Sequence, residues 1–143
     1  ESLVLSEERG VLAAVLGNPA VGPGIVDVYD ISQDCLDPQL TAISPFGILG
    51  HESGMAPDGR TFYSASPATG TIFAVGLDDL SLPQLLWQGS HPSHGLSVSD
   101  DGNRIYVAGL DGLIAKKRDL RYQPDKRVTR IECLGFHDMI LSC

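Results

Sequence analysis

Apolar and polar positions alternate with a period of two in the middle of the chain. Leu96-Ser97-Val98-Ser99 alternates strictly, and the segments 61–65 and 104–108 are rich in aromatic and β-branched residues. This period is typical of half-buried β-strands rather than helices. Asp58-Gly59 precedes the segment 61–65, and Asp101-Gly102 precedes the segment 104–108. Glycine accepts the positive φ of a tight turn. The pattern therefore predicts two β-hairpins and almost no helix before residue 115.

The two hairpins are copies of one repeat. His51 aligns with His94, Asp58 with Asp101 and Tyr63 with Tyr106, and each pair is separated by 43 residues. Repeats of this length are units that cannot bury their own apolar face and must stack on neighbours. The question becomes which repeat architecture is present.

More strands surround each hairpin. A third strand is predicted at 70–75 and again at 112–115, and a fourth at 83–88. Upstream lies a degraded first copy, with predicted strands at 3–5, 11–16 and 24–30 and a Gly- and Pro-rich insertion at 17–23 that is typical of an exposed loop. Three or four short strands in each repeat of about 40 to 50 residues are characteristic of β-propeller blades. The predicted fold class is all-β, a partial β-propeller built from repeated antiparallel blades.

Three segments carry a family resemblance: GIVDVYDI followed by Asp34-Cys35, GHESGMAPDGRTFYSAS, and HGLSVSDDGNRIYVAG. Together they resemble the LVIVD-repeat β-propellers, relatives of the YVTN-type propellers, over residues 3–115. The resemblance implies a bladed all-β disc, often part of exported bacterial proteins with no assigned activity, and hence an extracellular or periplasmic location. The His-Gly and Asp-Gly motifs more distantly resemble those of selenium-binding proteins and lactonase-like propellers.

The chain holds about three blades, with repeat cores at 3–32, 51–79 and 94–115. Closed propellers contain about four to eight blades. We therefore expect either part of a larger propeller or a partial propeller that self-associates to cover its open blade edges, since bare edges are aggregation hazards.

Charge divides the chain in two. Residues 1–115 carry a net charge of −11, whereas residues 116–143 carry +3 and begin with Lys116-Lys117-Arg118. We define 116–143 as a basic, divergent tail and expect proteolysis to begin at its basic run. Its segment 131–136 could instead cover an exposed sheet edge. Nucleic-acid binding is not expected, because the acidic body repels phosphates.

The cysteines and apolar runs provide little further evidence about function. Cys35, Cys133 and Cys143 form no Cys-x-x-Cys pair, so neither a zinc ribbon nor a redox motif is predicted. Cys35 either pairs with a tail cysteine or is a free buried thiol. No apolar run is long enough for a transmembrane helix.

The histidines are the only candidates for metal chemistry. His51 and His94 begin the predicted inner strand of their repeats, so both would border the central channel. Imidazole binds zinc, copper, iron or nickel, and His91 or Glu52 could complete a transition-metal site. His137 is a weaker candidate. We favour the alternative that His51 and His94 bond backbone groups of a neighbouring blade, because buried polar atoms need partners.

Catalytic motifs are absent from the sequence. Asp58 and Asp101 are expected to shape their turns through Asx-type bonds. Ser93-His94 is not a catalytic dyad, because adjacent strand residues point to opposite faces. The sequence therefore favours a non-catalytic scaffold that binds a protein or glycan and needs no cofactor. The alternative is a metal-dependent oxidoreductase or hydrolase with channel histidines.

Overall fold

The chain forms three four-stranded antiparallel sheets in a computed structural model, and each sheet contains four strands that are consecutive in the chain and hydrogen-bonded in chain order. We call these sheets blades 1, 2 and 3. The predicted all-β fold of repeated antiparallel blades is confirmed. The strands are β1 (Ser2–Ser6), β2 (Val11–Leu16), β3 (Ile25–Asp30), β4 (Gln39–Ile43), β5 (Glu52–Met55), β6 (Thr61–Ser66), β7 (Thr71–Gly76), β8 (Gln84–Gln88), β9 (Ser93–Val98), β10 (Arg104–Gly109), β11 (Gly112–Lys117) and β12 (Glu132–Leu134).

The structure describes residues 2–17, 20, 24–44, 49–80, 83–89, 93–109, 112–117 and 132–134. For 93–94, 108–109, 112–117 and 132–134 it describes the backbone alone. No helix occurs in these ranges.

Strand register confirms the 43-residue repeat. Met55 pairs with Phe62 in blade 2, and Val98 pairs with Ile105 in blade 3. Each residue of the second pair lies 43 positions after its equivalent in the first, so both strands of the hairpin repeat with the same spacing. In blade 1 the corresponding pair is Leu5 with Leu12, 50 residues before the pair in blade 2. The predicted insertion lies between β2 and β3, mostly outside the described residues.

The two predicted Asp-Gly turns are present. Gly59 and Gly102 have φ values of 65° and 67°, a region that residues with a side chain rarely adopt. The Asx-type bonds are also confirmed: the Arg60 amide donates to Asp58 Oδ1 (3.1 Å), and the Asn103 amide donates to Asp101 Oδ1 (2.9 Å). The repeated turn is thus built by the same two residues in both blades.

Each blade has two faces with different neighbours. We call the face toward the preceding blade the front face and the face toward the following blade the rear face. Phe62 and Val75 on the front face of blade 2 pack on the rear face of blade 1, in one core with Ala13, Val15 and Val26. The rear face of blade 2 packs on the front face of blade 3 in a second core, formed by Ala56, Tyr63, Ala65, Ile72, Ala74, Leu86, Ile105 and Val107.

The innermost strands of the three blades lie side by side. β5 contacts both β1 and β9, so these three strands line the propeller axis, as the sequence analysis assumed for the strands that begin each repeat. Every residue of β6 is buried, because blade 2 is covered on both faces. Burial on both sides explains why 61–66 lacks the strict alternation of Leu96-Ser97-Val98-Ser99.

Two outer strands extend the predicted organisation. β4 was not predicted, because four of its five residues are exposed and leave no alternating pattern. β12 comes from the basic tail and pairs with β11, placing Leu134 opposite Leu113. β11 itself continues to Lys117, two residues past the predicted boundary at 115. The division into a repeat region and a tail stays a prediction.

Cys35 lies in the loop between β3 and β4, where it is exposed and free. The expectation of a buried thiol is therefore wrong at this position, because residues 32–38 of the loop are all exposed to solvent. Cys133 lies in β12, and Cys143 lies outside the described residues.

Candidate functional site

The stacked blades have two ends that differ in chemistry. The turns β1–β2, β5–β6 and β9–β10 lie at one end, which we call the turn end. Arg9 Nη1 in the first turn donates to the Gly59 carbonyl in the second (2.9 Å), and a Cβ built on Gly102 in the third would lie 3.0 Å from Pro57 Cδ. The opposite end, where β5 and β9 begin, is the histidine end.

At the histidine end, His51 immediately precedes β5. Its amide donates to the Ala65 carbonyl (2.8 Å), which ties the residue to the second strand of its own blade. Its Nδ1 lies 3.2 Å from Glu52 Oε1, with 48% of the His51 side chain and 37% of the Glu52 side chain exposed. The structure therefore brings together two of the four predicted metal ligands, in a position accessible to solvent.

The equivalent His94 stands in a different backbone setting. In blade 3, Ala108 pairs with Gly95 and Gly109 pairs with Ser93, so His94 is the extra residue of a β-bulge. Bulges re-aim side chains and are common beside functional sites. Because β5 and β9 are neighbours, both residues lie at the same end of the stack, as predicted. The His94 side chain, His91 and His137 lie outside what the structure describes, so the convergence of the imidazoles stays a prediction.

Within the described ranges, no group of three His, Cys, Asp or Glu side chains is arranged to hold a metal ion. Two serines beside His51 form a feature that sequence reasoning missed. Ser53 and Ser64 are register partners, and their Oγ atoms are buried and make no hydrogen bond in the described part of the chain. Gly50 sits against Ser64, because a Cβ there would meet both Ser64 Oγ and Val15 Cγ2. The sequence signal that could have revealed this feature is a pair of serines at opposite positions of the predicted hairpin.

The turn end is strongly acidic. Its carboxylates come from loops that are far apart in sequence and that blade stacking places side by side. Gly10 accepts a hydrogen bond from the Ile31 amide (2.8 Å), which holds the β3–β4 loop at this end as well. In the described ranges, Glu52 is the one carboxylate at the histidine end, whereas the turn end carries Glu7, Glu8, Asp30, Asp34, Asp37, Asp58, Asp78, Asp79, Asp100 and Asp101.

A charged cluster joins blades 1 and 2 at the turn end. Asp78 Oδ1 accepts a hydrogen bond from Arg9 Nη2 (2.7 Å), and its Oδ2 accepts one from Arg60 Nη1 (2.6 Å). The hydrogen bond from Arg9 is the main reason that the Asp78 pKa lies below its ordinary value. Since half of the Asp78 side chain is exposed, solvent screens much of this attraction.

The carboxylate of the β9–β10 turn is also held in its charged form. Asp101 Oδ1 accepts hydrogen bonds from Ser99 Oγ (2.6 Å) and from the Asn103 amide (2.9 Å). The bond from Ser99 contributes most, and together these bonds lower the Asp101 pKa to about 2. The acidic end therefore keeps this charge even in moderately acidic solution.

The fold is shared with solved β-propellers. The β-propeller domain of Cps50 (Swd1) from Myceliophteria thermophila superimposes with a TM-score of 0.67 at 12% identity, over 92% of this chain and 38% of that one. Kuenenia stuttgartiensis hydrazine synthase gives a TM-score of 0.67 at 15% identity, over 93% of this chain and 36% of that one. At such identities the similarity establishes the propeller fold alone.

The other comparisons are negative. No family model matches the chain, and no curated protein matches it. The chain spans less than two fifths of the length of the two propeller structures. No helix that could cross a membrane occurs among the described residues.

Proposed function

We propose that this chain is a non-catalytic β-propeller scaffold that binds a protein partner at its acidic turn end. The observation that supports this most directly is that blade stacking gathers carboxylates from distant loops at one end of the disc. Loops carried by a rigid scaffold are common binding sites. A surface with a net excess of one charge sign attracts oppositely charged partners and accelerates their association. The partner class is therefore a protein with a basic surface.

One exposed aliphatic side chain adds an apolar contact to this surface. Leu36 in the β3–β4 loop is 90% exposed and is flanked by Asp34 and Asp37. Hydrogen bonds from the Leu36 amide to Asp34 Oδ1 (2.9 Å) and from the Asp37 amide to the Asp34 carbonyl (3.2 Å) hold the loop in a defined turn. An apolar residue surrounded by charge suits a protein surface better than a glycan.

The test compares wild-type protein with the triple variant Glu7→Gln, Glu8→Gln, Asp37→Asn. The three side chains are exposed, and the fold should be retained. A partner captured by the wild-type protein is purified, and its complex with this chain is reassembled from the purified components. The affinity of the two proteins is then measured by calorimetry at low and high salt. We expect the variant to bind roughly tenfold more weakly and the wild type to lose affinity with salt.

Glu52→Gln is the matched control, because it removes a carboxylate at the opposite end. It should leave the affinity unchanged. A partner whose affinity ignores both the triple substitution and salt would contradict binding at the turn end. Recognition of glycans on an array, unaffected by the triple variant, would favour a glycan scaffold instead.

We also propose membership of the LVIVD-repeat propellers and an extracellular or periplasmic location. Both rest on the three segments quoted above, and the confirmed 43-residue register supports the repeat on which they depend. Fractionation of the native organism tests the location, since a protein retained wholly in the cytoplasmic fraction would contradict it.

A second candidate function is metal binding at the histidine end. The 3.2 Å approach of His51 Nδ1 to Glu52 Oε1 favours it, together with the position of His94 in a bulge on the neighbouring inner strand. Elemental analysis of purified protein and of a His94→Ala variant tests this function. A stoichiometric transition metal that is lost in a folded variant supports a ligand role. Reduced stability without any metal to lose supports a structural role.

A further inference from the structure

The front face of blade 1 is apolar and uncovered. The strand registers of blade 1 place Leu3, Leu5, Leu16, Leu40 and Ile43 on this one face, and they are 67%, 53%, 38%, 50% and 52% exposed. In the described ranges, only Leu36 and Leu85 are other large aliphatic side chains with such exposure. An apolar patch of this kind marks an interaction surface.

The same positions in blade 2 show what normally covers this face. Leu12 of blade 1 corresponds in register to Phe62 of blade 2. Phe62 is fully buried by the rear face of blade 1, whereas Leu12 is only half-buried. The front face of blade 1 therefore has the composition of a blade interface and has no blade packed on it within the described chain.

The rear face of blade 3 is the complementary surface, and no described element packs on it. Tyr63 of blade 2 is fully buried under blade 3, whereas the equivalent Tyr106 of blade 3 is half-buried. Likewise Gly54 of blade 2 is buried, whereas the equivalent Ser97 is exposed. One chain thus carries an open front face at one end of the stack and an open rear face at the other.

The contact between blades 2 and 3 shows how these two faces fit. Gly54 leaves room for the side chains of Leu96 and Val98, because a Cβ there would lie 2.5 Å from Leu96 Cδ2 and 2.9 Å from Val98 Cγ2. In blade 1 the register positions of Leu96 and Val98 are taken by Leu3 and Leu5. Ser97 takes the position of Gly54, and its Cβ requires the flexible ends of the packed leucine side chains to shift away from the strand. With that shift, a related contact between leucines and a small residue can form between two chains.

We propose that two copies of this chain associate head to tail and close a six-bladed ring. The front face of blade 1 in each copy packs on the rear face of blade 3 in the other, continuing the stacking that already joins blades 1, 2 and 3. Six blades lie within the range of closed propellers. Two such junctions related by a two-fold axis close the assembly and leave no open blade face.

Three single variants test the two faces by sedimentation over a range of concentrations. Leu5→Glu places a charge on the front face, and Ser97→Glu places one on the rear face. Each should raise the dissociation constant of the pair at least about tenfold. Leu85→Glu is the matched control, because Leu85 is 47% exposed on the outer strand of blade 2 and lies outside the junction. It should associate like the wild type, and circular dichroism should show unchanged strand content in all three.

Mixing the two variants identifies the head-to-tail geometry. A Leu5→Glu chain keeps an intact rear face, and a Ser97→Glu chain keeps an intact front face, so their mixture can form one wild-type junction. We expect a mixed pair that neither variant forms alone, detected by native mass spectrometry with one chain isotope-labelled. Front-to-front pairing predicts the opposite, namely full association of Ser97→Glu alone and no rescue on mixing.

Three outcomes would overturn the proposal. The first is a wild-type chain that stays monomeric at high micromolar concentration, which would favour further blades supplied by a longer polypeptide. The second is front-to-front pairing, and the third is an open series of higher oligomers instead of a closed pair. None of these outcomes bears on binding at the acidic turn end, which depends on other residues.

Discussion

Tyr63 and Tyr106 occupy the same position in consecutive repeats, yet only one belongs to a closed core. Both follow an Asp-Gly turn and lie on the rear face of their blade, 43 residues apart. Tyr63 is fully buried because blade 3 covers it, whereas Tyr106 is half-buried and has no fourth blade against it within the described residues. The same residue thus makes different energetic contributions, decided by the neighbouring blade rather than by the residue itself.

The largest expected difference comes from removing each tyrosine. Tyr63→Ala should lower the free energy of unfolding by about 3 to 5 kcal/mol, since it leaves a cavity in the core between blades 2 and 3. Tyr106→Ala should lower it by about 1 kcal/mol, because part of its surface is already in water. Urea unfolding in a Leu5→Glu background measures both without a contribution from a second copy. Equal losses would mean that blade 3 does not cover Tyr63.

A smaller difference is expected from adding volume at matched positions. Gly54→Val should destabilise the fold by about 1 to 3 kcal/mol, because its side chain would overlap Leu96 and Val98. Ser97→Val adds a similar volume at the equivalent exposed position and should change stability by less than about 0.5 kcal/mol. Thermal unfolding of the two variants, each in the Leu5→Glu background, provides the comparison without a contribution from a second copy. A tolerated Gly54→Val would contradict the close approach of the two blades.

The charged cluster between blades 1 and 2 should contribute less than either core. Asp78→Asn removes the negative charge that both arginines contact and should cost under about 1 kcal/mol at neutral pH, and less in high salt. The Asp78 pKa is lowered in the folded state, so its contribution is fully present above the ordinary value of 3.8 and is lost as pH falls below it. Wild type and variant should therefore differ at pH 7 and converge as the pH falls through the lowered Asp78 pKa. A difference that persists at low pH would exclude this cause.

The smallest expected effect concerns the two Asp-Gly turns. Asp101 has the Ser99 hydroxyl as an additional donor, and its pKa is lowered to about 2. Ser99→Ala should raise the Asp101 pKa towards 3.8, as followed by NMR titration of the carboxyl carbon. Any contribution of Asp101 to stability is present above pH 3.8 and is lost as pH falls through about 2. An unchanged Asp101 pKa in Ser99→Ala would assign the shift to the Asn103 amide instead.

The repeat could be predicted from sequence because it depends on the conformational preferences of short segments. The Asp-Gly turns at 58–59 and 101–102 require a positive φ, and the flanking residues suit strands, so hairpin position and offset both follow from short segments. β4 could not be predicted, because an exposed outer strand does not require alternating apolar and polar residues. β12 lies 15 residues from β11, and no local signal indicates which edge it joins.

The candidate site was predictable only where it depends on local sequence. His51 and His94 could be identified because they recur at equivalent repeat positions, and the pairing of His51 with Glu52 is consistent with their adjacency in sequence. The buried hydroxyls of Ser53 and Ser64 escaped notice, because their proximity depends on strand register and their burial depends on blade 1.

The sequence by itself determined that this protein is built from β-blades, since alternation and turn chemistry act within short segments and the 43-residue repeat between blades 2 and 3 can be read from the residues themselves. Only the tertiary structure decided which faces are covered. Stacking brings Glu7, Asp58 and Asp101 to one end, buries Tyr63 but not Tyr106, and leaves the leucines of blade 1 exposed. Burial and charge clustering depend on which blades are neighbours, and a blade's own residues specify its two apolar faces without specifying what lies against them.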